Sequence, residues 1–503
     1  MPDDLGHGDR RQHSRMAPMS RAVHAAVIGA GLGGMLTAFC LARRGVRVSV
    51  FERDDSTVPD TPAAAGNWSR TGVPHLHQTH GFLGAFHSTL RDELPDLLEQ
   101  LLANGVEVRD FGKMAADHGF SSEAGADVAV LLARRSTVEQ VLRRAMTREK
   151  GITLRVGTGV DEILVGRGRV RGVRASGHDL DADIVIDASG RRAAPWASWY
   201  DAVGDNRGEL AYITRMYQLA DGAEPGPLSR VSGAGVIGDG YHTVINVHDN
   251  RTFSAVLACS PRDRELLRAR DARVFELLME WIPKTGPWVE KGRAVPLSPP
   301  RVMSNMRNTT RRISGKAPQG FFALGDALVT TDPSRGFGAS MAAVGAAWLA
   351  EAIAGDQRDI DAARETYLAR LTPWALDWYE DTVAHTATRA KRWSALLDGE
   401  RVPVTIPIPE PVPAFVTFQL PSADEEEWWH KRRYSQLLET PASLTRRWGG
   451  NRTEARPEGL QVYMTDVPTR AEVVDRIEEL TAAHGKPSGP PPYAVKGRQG
   501  DPR

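Results

Sequence analysis

A glycine-rich turn near the start of the chain constrains the fold more than any other feature. Residues 27–34 hold Gly-x-Gly-x-x-Gly directly after an apolar stretch and before helix-forming residues. In such a turn Gly29 makes the tight bend, Gly31 lets a pyrophosphate approach the backbone, and Gly34 lets helix pack on strand. Glu52 ends the next apolar run, where a carboxylate accepts hydrogen bonds from a ribose. We therefore predict a Rossmann-like β-α-β unit that binds a nucleotide.

The same glycine spacing recurs in residues 233–238, but without that context. No apolar strand precedes this copy, and residues 242–248 alternate like a strand instead of opening a helix. We therefore predict that the second copy is a glycine-rich loop entering a hairpin and not a nucleotide site.

Composition and charge exclude several classes of protein. The chain of 503 residues is long enough for two or three domains. Its 63 basic and 63 acidic residues leave no global field that would select nucleic acid or an anionic membrane. Two cysteines are too few for a disulfide framework or metal cluster, and they predict a reducing, cytoplasmic compartment. No apolar run reaches the roughly 18 residues of a membrane-spanning helix.

Hydrophobic patterning predicts a nucleotide domain interrupted by an antiparallel sheet, an α/β fold with an α+β insert. Long alternating runs characterise residues 210–258, and an apolar strand at 321–324 returns to the first domain. We also predict one helix over residues 82–102. The predicted division is a disordered N-terminus 1–21, a nucleotide domain 22–205 with a helical insert 75–130, an antiparallel-sheet substrate domain 206–300, the rest of the nucleotide domain 301–355, a helical C-terminal region 356–484 and a disordered tail 485–503.

Three further segments carry residues suited to ligand binding. Asp187 ends an apolar strand before a turn at Gly190, and Asp326 ends another. Residues 332–338 then aim a glycine-flanked helix N-terminus at the cleft, where it would stabilise negative charge. Arg135 begins an amphipathic helix, an unfavourable place for a cation unless an anion lies near. Plain turns, capping glycines and a solvated arginine remain open as alternative interpretations.

Taken in this order, the segments resemble the FAD-dependent monooxygenases of the para-hydroxybenzoate-hydroxylase type, over residues 22–353. The resemblance implies that the first glycine turn and Glu52 bind the ADP moiety. It puts Arg135 near the pyrophosphate, Asp326 at the ribityl chain and the 333–338 segment beside the flavin ring. The FAD site that it implies consists of Gly29, Gly31, Gly33, Gly34, Glu52, Arg53, Arg135, Val160, Asp187, Gly190, Asp326, Pro333, Gly336 and Gly338.

Within that family the chain looks nearest to a bacterial subset that includes polyether-type epoxidases. The subset has an Arg-x-Gly-x-Pro…His segment, which appears here as residues 70–80. The resemblance implies a loop over the flavin, with Arg70 and His80 near the isoalloxazine. Together with His75 and His77, His80 also has the residue types of a zinc site, but no carboxylate or cysteine stands at ligand spacing. We therefore predict no metal, and a purely structural role for these histidines remains an alternative.

The resemblance implies NAD(P)H-dependent monooxygenation. Reduced FAD reacts with O₂ to give a C4a-hydroperoxide, whose distal oxygen hydroxylates a ring or epoxidises an alkene, while the protein excludes water. The nicotinamide coenzyme binds transiently, without a Rossmann domain of its own. Arg215 and Tyr217 are candidates for the substrate side. The tryptophan-rich C-terminal helices favour an apolar or aromatic small molecule, such as a natural-product intermediate.

Three other functions compete with this interpretation. A flavin dehydrogenase or reductase would use the same fold without oxygen transfer. A flavin halogenase is disfavoured because its Trp-x-Trp-x-Ile-Pro signature is missing, and residues 279–283 only resemble the end of that signature. A flavin-binding regulatory protein would bind the cofactor without turning it over.

Overall fold

A computed structural model of the chain describes residues 23–125, 127–191, 194–355, 359–402, 405–406, 412–449, 460–461 and 467–483. Segments 1–21 and 485–503, which were predicted to be disordered, lie outside the described residues. The α/β fold with an inserted antiparallel sheet is confirmed.

A five-stranded parallel sheet forms the centre of the nucleotide domain. His24–Ile28 is its middle strand, with Arg47–Glu52 on one side and Ile184–Asp187 on the other. Ile152–Val156 and Phe321–Ala323 complete the two edges. The central strands are almost continuously apolar because helices and a second sheet cover both faces.

Helices cover one face of this sheet and a small antiparallel sheet covers the other. Leu32–Ala42 packs against Phe337–Gly355, so the two glycine-flanked helices from distant parts of the chain lie side by side. On the opposite face, strands Val160–Gly166, Arg169–Ala175 and His178–Asp181 contribute Val170 and Val173 to a second core. The helix Arg135–Met146 packs beside Leu32–Ala42.

The single helix predicted over residues 82–102 is wrong. The structure has two helices, Gly84–Glu93 and Pro95–Ala103, with Leu94 between them in a non-helical conformation. Proline lacks the N–H that would continue the first helix, and it disfavours helical geometry in the residue before it. The insert 75–130 is also not purely helical, because Glu107–Asp110 pairs with Ala129–Leu132 beside the short helix Gly112–Asp117.

The inserted sheet has six antiparallel strands. Ala211–Leu219 pairs with Thr252–Cys259 on one side, and on the other with two short strands, Ala294–Pro296 and Arg301–Met303. Tyr241–Val247 and Gly233–Ile237 extend the sheet beyond Thr252–Cys259. One face packs on the helices Ala272–Trp281 and Arg470–Ala482, and the other faces the nucleotide domain.

The second glycine motif is the edge strand of this sheet. It forms a hairpin with Tyr241–Val247, so the predicted hairpin is confirmed, but the segment is a strand and not the loop leading into it. A Cβ atom on Gly233 or Gly235 would overlap carbonyl oxygens of the neighbouring strand. Close strand packing therefore accounts for these glycines.

A three-stranded sheet connects the two domains, and helices follow it. Tyr200–Arg207 pairs with Arg307–Ile313, which pairs with Val329–Thr330. The described part of the C-terminal region is mostly helical and also contains the strand pair Thr405–Ile406 with Leu460–Gln461. Besides the helix already named on the inserted sheet, its helices are Ile360–Leu397, Ala414–Gln419, Glu425–Ser435 and Pro441–Trp448. Two short helices elsewhere are Pro62–Ala65 and Gly286–Val289.

One helix among the described residues, Phe337–Gly355, is long and apolar enough to cross a membrane by length and composition alone. It is 67% buried inside the protein over its most apolar window. Its packing against Leu32–Ala42 accounts for its apolar character.

Candidate active site

A cavity of about 420 Å³ opens at the carboxyl ends of the parallel strands, facing the inserted sheet. Open α/β sheets bind their ligands in the crevice at this edge. Fourteen of the seventeen predicted site residues line the cavity, and Gly34, Asp187 and Arg215 do not. Those that line it are Gly29, Gly31, Gly33, Glu52, Arg53, Arg70, His80, Arg135, Val160, Gly190, Asp326, Pro333, Gly336 and Gly338.

The first glycine turn has the geometry of a phosphate cradle. Gly29 has φ +101°, and a Cβ there would lie 2.6 Å from the carbonyl oxygen of Ala188. A Cβ on Gly34 would overlap the carbonyl oxygen of Gly29, so this glycine serves helix-to-strand packing and not ligand contact. A Cβ on Gly31, by contrast, would meet no atom within 4 Å. The backbone of Gly31 therefore presents open space at a helix N-terminus.

Glu52 is held by two arginines. Its carboxylate accepts hydrogen bonds from the backbone N–H of Ala30 at 3.1 Å and of Asp54 at 3.0 Å. Arg70 and Arg143 donate to the same carboxylate at 2.7 and 2.8 Å. Sequence reasoning missed Arg143, whose one signal was its position eight residues after Arg135, on the same side of the helix.

Arg70 lies at the Glu52 end of the cavity and not beside the 333–338 segment, where it was predicted. It pairs with Glu139 as well as with Glu52, and its side chain is fully buried. A buried guanidinium needs carboxylates around it, and these two supply them. Although burial raises the pKa of Glu139, the charges of Arg70 and Arg135 outweigh it and lower that pKa to about 2.

Arg135 is fixed by residues from two elements. Its Nε donates to Glu139 at 2.7 Å, and its Nη1 lies 2.6 Å from His75 Nε2 and 3.3 Å from His80 Nε2. The Nδ1 of His80 is 2.9 Å from the carbonyl of Gln78, so the neutral tautomer accepts from Arg135. Burial, aided by Arg135, lowers the pKa of His80 to about 3. The interpretation of Arg135 as a solvated surface residue is therefore wrong.

The charge of the neighbouring Arg134 is balanced by a buried carboxylate of the protein. Asp249, from the inserted sheet, accepts hydrogen bonds from its backbone N–H and its guanidinium, both at 2.6 Å. This buried pair joins the inserted sheet to the helix that carries Arg135. Among the described residues, no group of three His, Cys, Asp or Glu side chains is placed to hold a metal ion.

The second half of the site comes from the chain some three hundred residues later. Asp326 follows the edge strand Phe321–Ala323, and among the described residues no donor hydrogen-bonds its carboxylate. Burial raises the pKa of Asp326, against the opposing charges of Arg135 and Arg191. Next along the chain, Gly336 has φ +70°, and Gly338 has open space where a side chain would stand.

Asp187 and Arg215 have structural partners instead. Asp187 accepts hydrogen bonds from the backbone and hydroxyl of Ser189, from Trp196 at 2.7 Å and from Tyr200 at 2.6 Å. Asp187 therefore holds the turn that presents Gly190 to the cavity. Arg215 contacts Glu276 at 3.0 Å and the carbonyls of Ala272 and Ser298. It shares the sheet face of Ile213 and Tyr217, which packs on the helix Ala272–Trp281 and not on the cavity.

Side chains near the inserted sheet line the rest of the cavity, and sequence reasoning missed them. Gln78 and Thr79 lie in the 70–80 segment but not at its motif positions, and the others belong to no local motif, because they come together from separate loops and strands. Thr79 hydrogen-bonds Asn246 at 2.6 Å and Ser254 at 3.0 Å, which ties this loop to the sheet. The others are Gln78, Met303, Met306, Thr330 and Thr331.

Two family models match parts of the chain. One describes an NAD(P)-binding Rossmann-like domain and matches residues 27–94, and the other describes tryptophan halogenase and matches residues 103–199. Protein FixC of Salmonella typhi is 31% identical over 168 residues, which are 33% of this chain and 36% of that protein. The chain therefore aligns with about a third of the length of the curated relatives that it matches.

Solved structures of flavoenzymes superpose on most of the chain. PqsL, a probable FAD-dependent monooxygenase from Pseudomonas aeruginosa, has a TM-score of 0.55 at 16% identity over 75% of this chain and 100% of its own. HpxO of Klebsiella pneumoniae, complexed with FAD, has a TM-score of 0.54 at 17% identity over 75% and 93%. The myxobacterial halogenase CndH has a TM-score of 0.54 at 17% identity over 75% and 90%.

The chain has the Rossmann-like FAD-binding fold of flavin-dependent monooxygenases and halogenases. This confirms the predicted fold and, at the level of fold, the broad resemblance. The narrower resemblance to polyether epoxidases has no counterpart among these matches.

Proposed function

We propose that the protein is an FAD-dependent monooxygenase that uses NAD(P)H and O₂ to transfer one oxygen atom to an apolar or aromatic small molecule. One observation carries the proposal. A single cavity joins the open backbone at Gly31, the unpartnered carboxylate of Asp326 and the helix N-terminus at Gly338. Gly31 lies about three hundred positions before the other two. Among the described residues, a Cβ on Gly31 or Gly338 would meet nothing within 4 Å, and no donor hydrogen-bonds the Asp326 carboxylate.

The residues present fit FAD. Gly31 and Arg135 would hold the pyrophosphate, since both the helix N-terminus and the guanidinium favour an anion. Glu52 keeps a lone pair on Oε1 for a ribose, because among the described residues Oε1 accepts from the Asp54 N–H alone while the other three donors contact Oε2. Glu52 also lines the cavity. Asp326 would accept hydrogen bonds from ribityl hydroxyls. Bound FAD would supply the activation of O₂ that no side chain here provides.

The substrate side of the cavity favours an uncharged molecule. Met303 and Met306 supply apolar, adaptable surface, and Thr79 offers a hydroxyl whose orientation the inserted sheet fixes. Arg307, a cation that lines this part of the cavity, is paired with Asp205. The PqsL structure with 2-aminobenzoylacetate supports a small aromatic ring as substrate for this fold, and we propose an aromatic substrate here without the carboxylate that this molecule carries.

Proton transfer from the flanking histidines is not part of this proposal. His80 keeps a neutral ring at neutral pH, and burial with Arg135 also lowers the pKa of His75 well below its ordinary value. These rings position Arg135 and exclude water from the cavity wall.

The finer assignments belong to the same proposal. They are membership of the epoxidase-like subset, a natural-product substrate, a transient nicotinamide coenzyme, and FAD-binding parts at 22–205 and 301–355 around a substrate domain at 206–300. A cytoplasmic location is proposed too, and it is supported by two cysteines that are both free and buried.

The proposal is tested by binding and by oxygen transfer. Purified full-length protein is expected to bind FAD, and Gly31→Val is expected to weaken that binding about a hundredfold, since its side chain would fill the pyrophosphate space. Gly315→Ala is the matched control, because Gly315 is exposed and a Cβ there also meets nothing within 4 Å. With a panel of aromatic and alkene substrates, product should gain one oxygen atom from isotopically labelled O₂. FAD bound equally well by Gly31→Val would refute the site.

Flavin-dependent halogenation is the second candidate, favoured by the match of residues 103–199 to the tryptophan halogenase model. The tripeptide Trp281–Pro283 gives it no support, because Trp281 ends a helix on the far face of the inserted sheet. Adding chloride or bromide to the same assay separates the two. Halogenated product in place of oxygenated product would show that the protein is a halogenase. Substrate oxidation that persists without O₂ would indicate a dehydrogenase.

A further inference from the structure

The loop before the helix Phe337–Gly355 is anchored by the C-terminal region. Asp332 is fully buried and accepts a hydrogen bond from Arg389 of the long helix Ile360–Leu397 at 2.6 Å. Arg389 also donates to the hydroxyl of Ser334 at 3.1 Å and to the carbonyl of Gly208 at 2.9 Å. One guanidinium thus connects this loop to the long helix and to the segment that leads into the inserted sheet.

A second anchor lies three residues further along the loop. Arg335 contacts Asp381 at 3.2 Å and the hydroxyl of Tyr434 at 2.5 Å. Tyr434 donates to Asp381 at 2.6 Å, and the backbone N–H of Phe415 donates to the other oxygen at 3.0 Å. Arg335 therefore contacts two C-terminal helices directly, and a third supports the contact through Asp381.

The two anchors turn both charged loop residues away from the cavity while their neighbours face it. Pro333 and Gly336 line the cavity, whereas Asp332 and Arg335 do not. Each charge has a buried partner of opposite sign, so the loop adds little net charge beside the helix N-terminus. A residue of the 70–81 segment limits the loop from the other side, since a Cβ on Gly336 would lie 3.7 Å from Gly81.

We propose that the C-terminal helices position the cavity-lining loop 332–336, with Arg389 and Asp381 as the positioning residues. This inference rests on the proposed function in that the loop faces FAD. It assigns a role to residues 360–435, which neither family model covers. Arg389 is more than a packing residue, because its two terminal guanidinium nitrogens donate to three acceptors, Asp332, Ser334 and Gly208. The single nitrogen of a lysine cannot reproduce this arrangement.

The test compares Arg389→Lys with Arg392→Lys in the full-length protein. Arg392 lies on the same helix, is equally buried, and pairs with Asp239 outside the loop. Hydrogen exchange of the peptide spanning residues 329–338 is measured without added FAD. Arg389→Lys is expected to accelerate that exchange about tenfold, which is the loss of one charge-assisted hydrogen bond, while Arg392→Lys leaves it unchanged. Asp381→Asn, nearly isosteric, gives the same comparison if Arg389→Lys does not fold.

FAD titration and the flavin midpoint potential form the second readout. We expect Arg389→Lys to weaken FAD binding and shift the potential, with Arg392→Lys matching the parent. Equal exchange in all three proteins, or equal acceleration by both lysine variants, would overturn the positioning role. A parent protein that binds no FAD would refute the proposed function alone, because the exchange measurement still decides whether the helices hold the loop.

Discussion

The buried ion cluster around Glu52 predicts that replacing Glu52 lowers the free energy of unfolding more than replacing Arg143 does. In Glu52→Gln, Arg143 loses its carboxylate partner while staying fully buried, and Arg70 keeps Glu139. Removing one partner of a buried pair costs about 3–5 kcal/mol. That is a large share of the roughly 5–15 kcal/mol that stabilises a domain.

Arg143→Met should cost far less. Glu52 still has Arg70 and two backbone N–H donors. The variant loses one charge-assisted hydrogen bond, worth about 1.5–3 kcal/mol, and a cation–π contact with Trp68 worth about 1 kcal/mol. It also removes two buried guanidinium nitrogens, Nε and Nη1, that have no hydrogen-bond partner in the part of the chain that the structure describes, each a penalty of about 1–3 kcal/mol. These contributions nearly cancel, so the net change is within about 2 kcal/mol.

Urea unfolding of the cofactor-free protein, followed by tryptophan fluorescence, measures the two midpoints. Glu52→Gln should unfold at a clearly lower urea concentration than Arg143→Met, with Arg392→Lys as a control in a different ion pair. A midpoint for Arg143→Met at or below that of Glu52→Gln would refute the reasoning, since it would mean that the arginine and not the acid organises the cluster.

Two further variants test local parts of the same wall. Gly34→Ala should prevent accumulation of folded protein, because the new Cβ would overlap the carbonyl oxygen of Gly29, and Gly315→Ala is the control. As the pH falls from about 7 to about 4, the free energy of unfolding of His80→Gln should decrease less than that of the parent. The folded pKa of His80 is about 3 against 6.5 unfolded, so the unfolded state binds the extra proton and acid destabilises the parent as pH falls below 6.5. Parallel unfolding midpoints for parent and variant would contradict this.

The sequence could predict the parts of the site that depend on short stretches of chain. The turn at Gly29 follows from a strand, three glycines and a helix within a dozen residues, and the structure has it. The break at Pro95 was equally local, since a proline inside an apolar repeat predicts a helix end, and the prediction of one helix overlooked it.

Partners from distant segments could not be predicted in this way. Asp187 ends a strand at the right edge, but whether it faces a ligand depends on Trp196 and Tyr200 folding back onto it. Likewise Arg70 fits either end of the cavity by sequence, and the buried acids Glu52 and Glu139 decide which. One motif is compatible with several roles for a residue, and the tertiary contacts determine which role the residue has.

Hydrogen bonds from the protein distinguish the residues that build the cavity from the residues that we expect to bind a ligand. Glu52 already has four donors, whereas Asp326 has none among the described residues and burial raises its pKa. Asp326→Asn should therefore leave the cofactor-free protein as stable as the parent or more stable, and increasingly so as pH rises above the ordinary carboxyl pKa of 3.8, where the unfolded carboxyl loses its proton first. The same variant should weaken FAD binding, because an amide accepts fewer ribityl hydrogen bonds than a carboxylate. Unchanged or higher stability together with weaker FAD binding would identify Asp326 as a ligand-binding residue. A loss of stability together with unchanged FAD affinity would make Asp326 a structural residue, and it would remove one of the three supports for the proposed site.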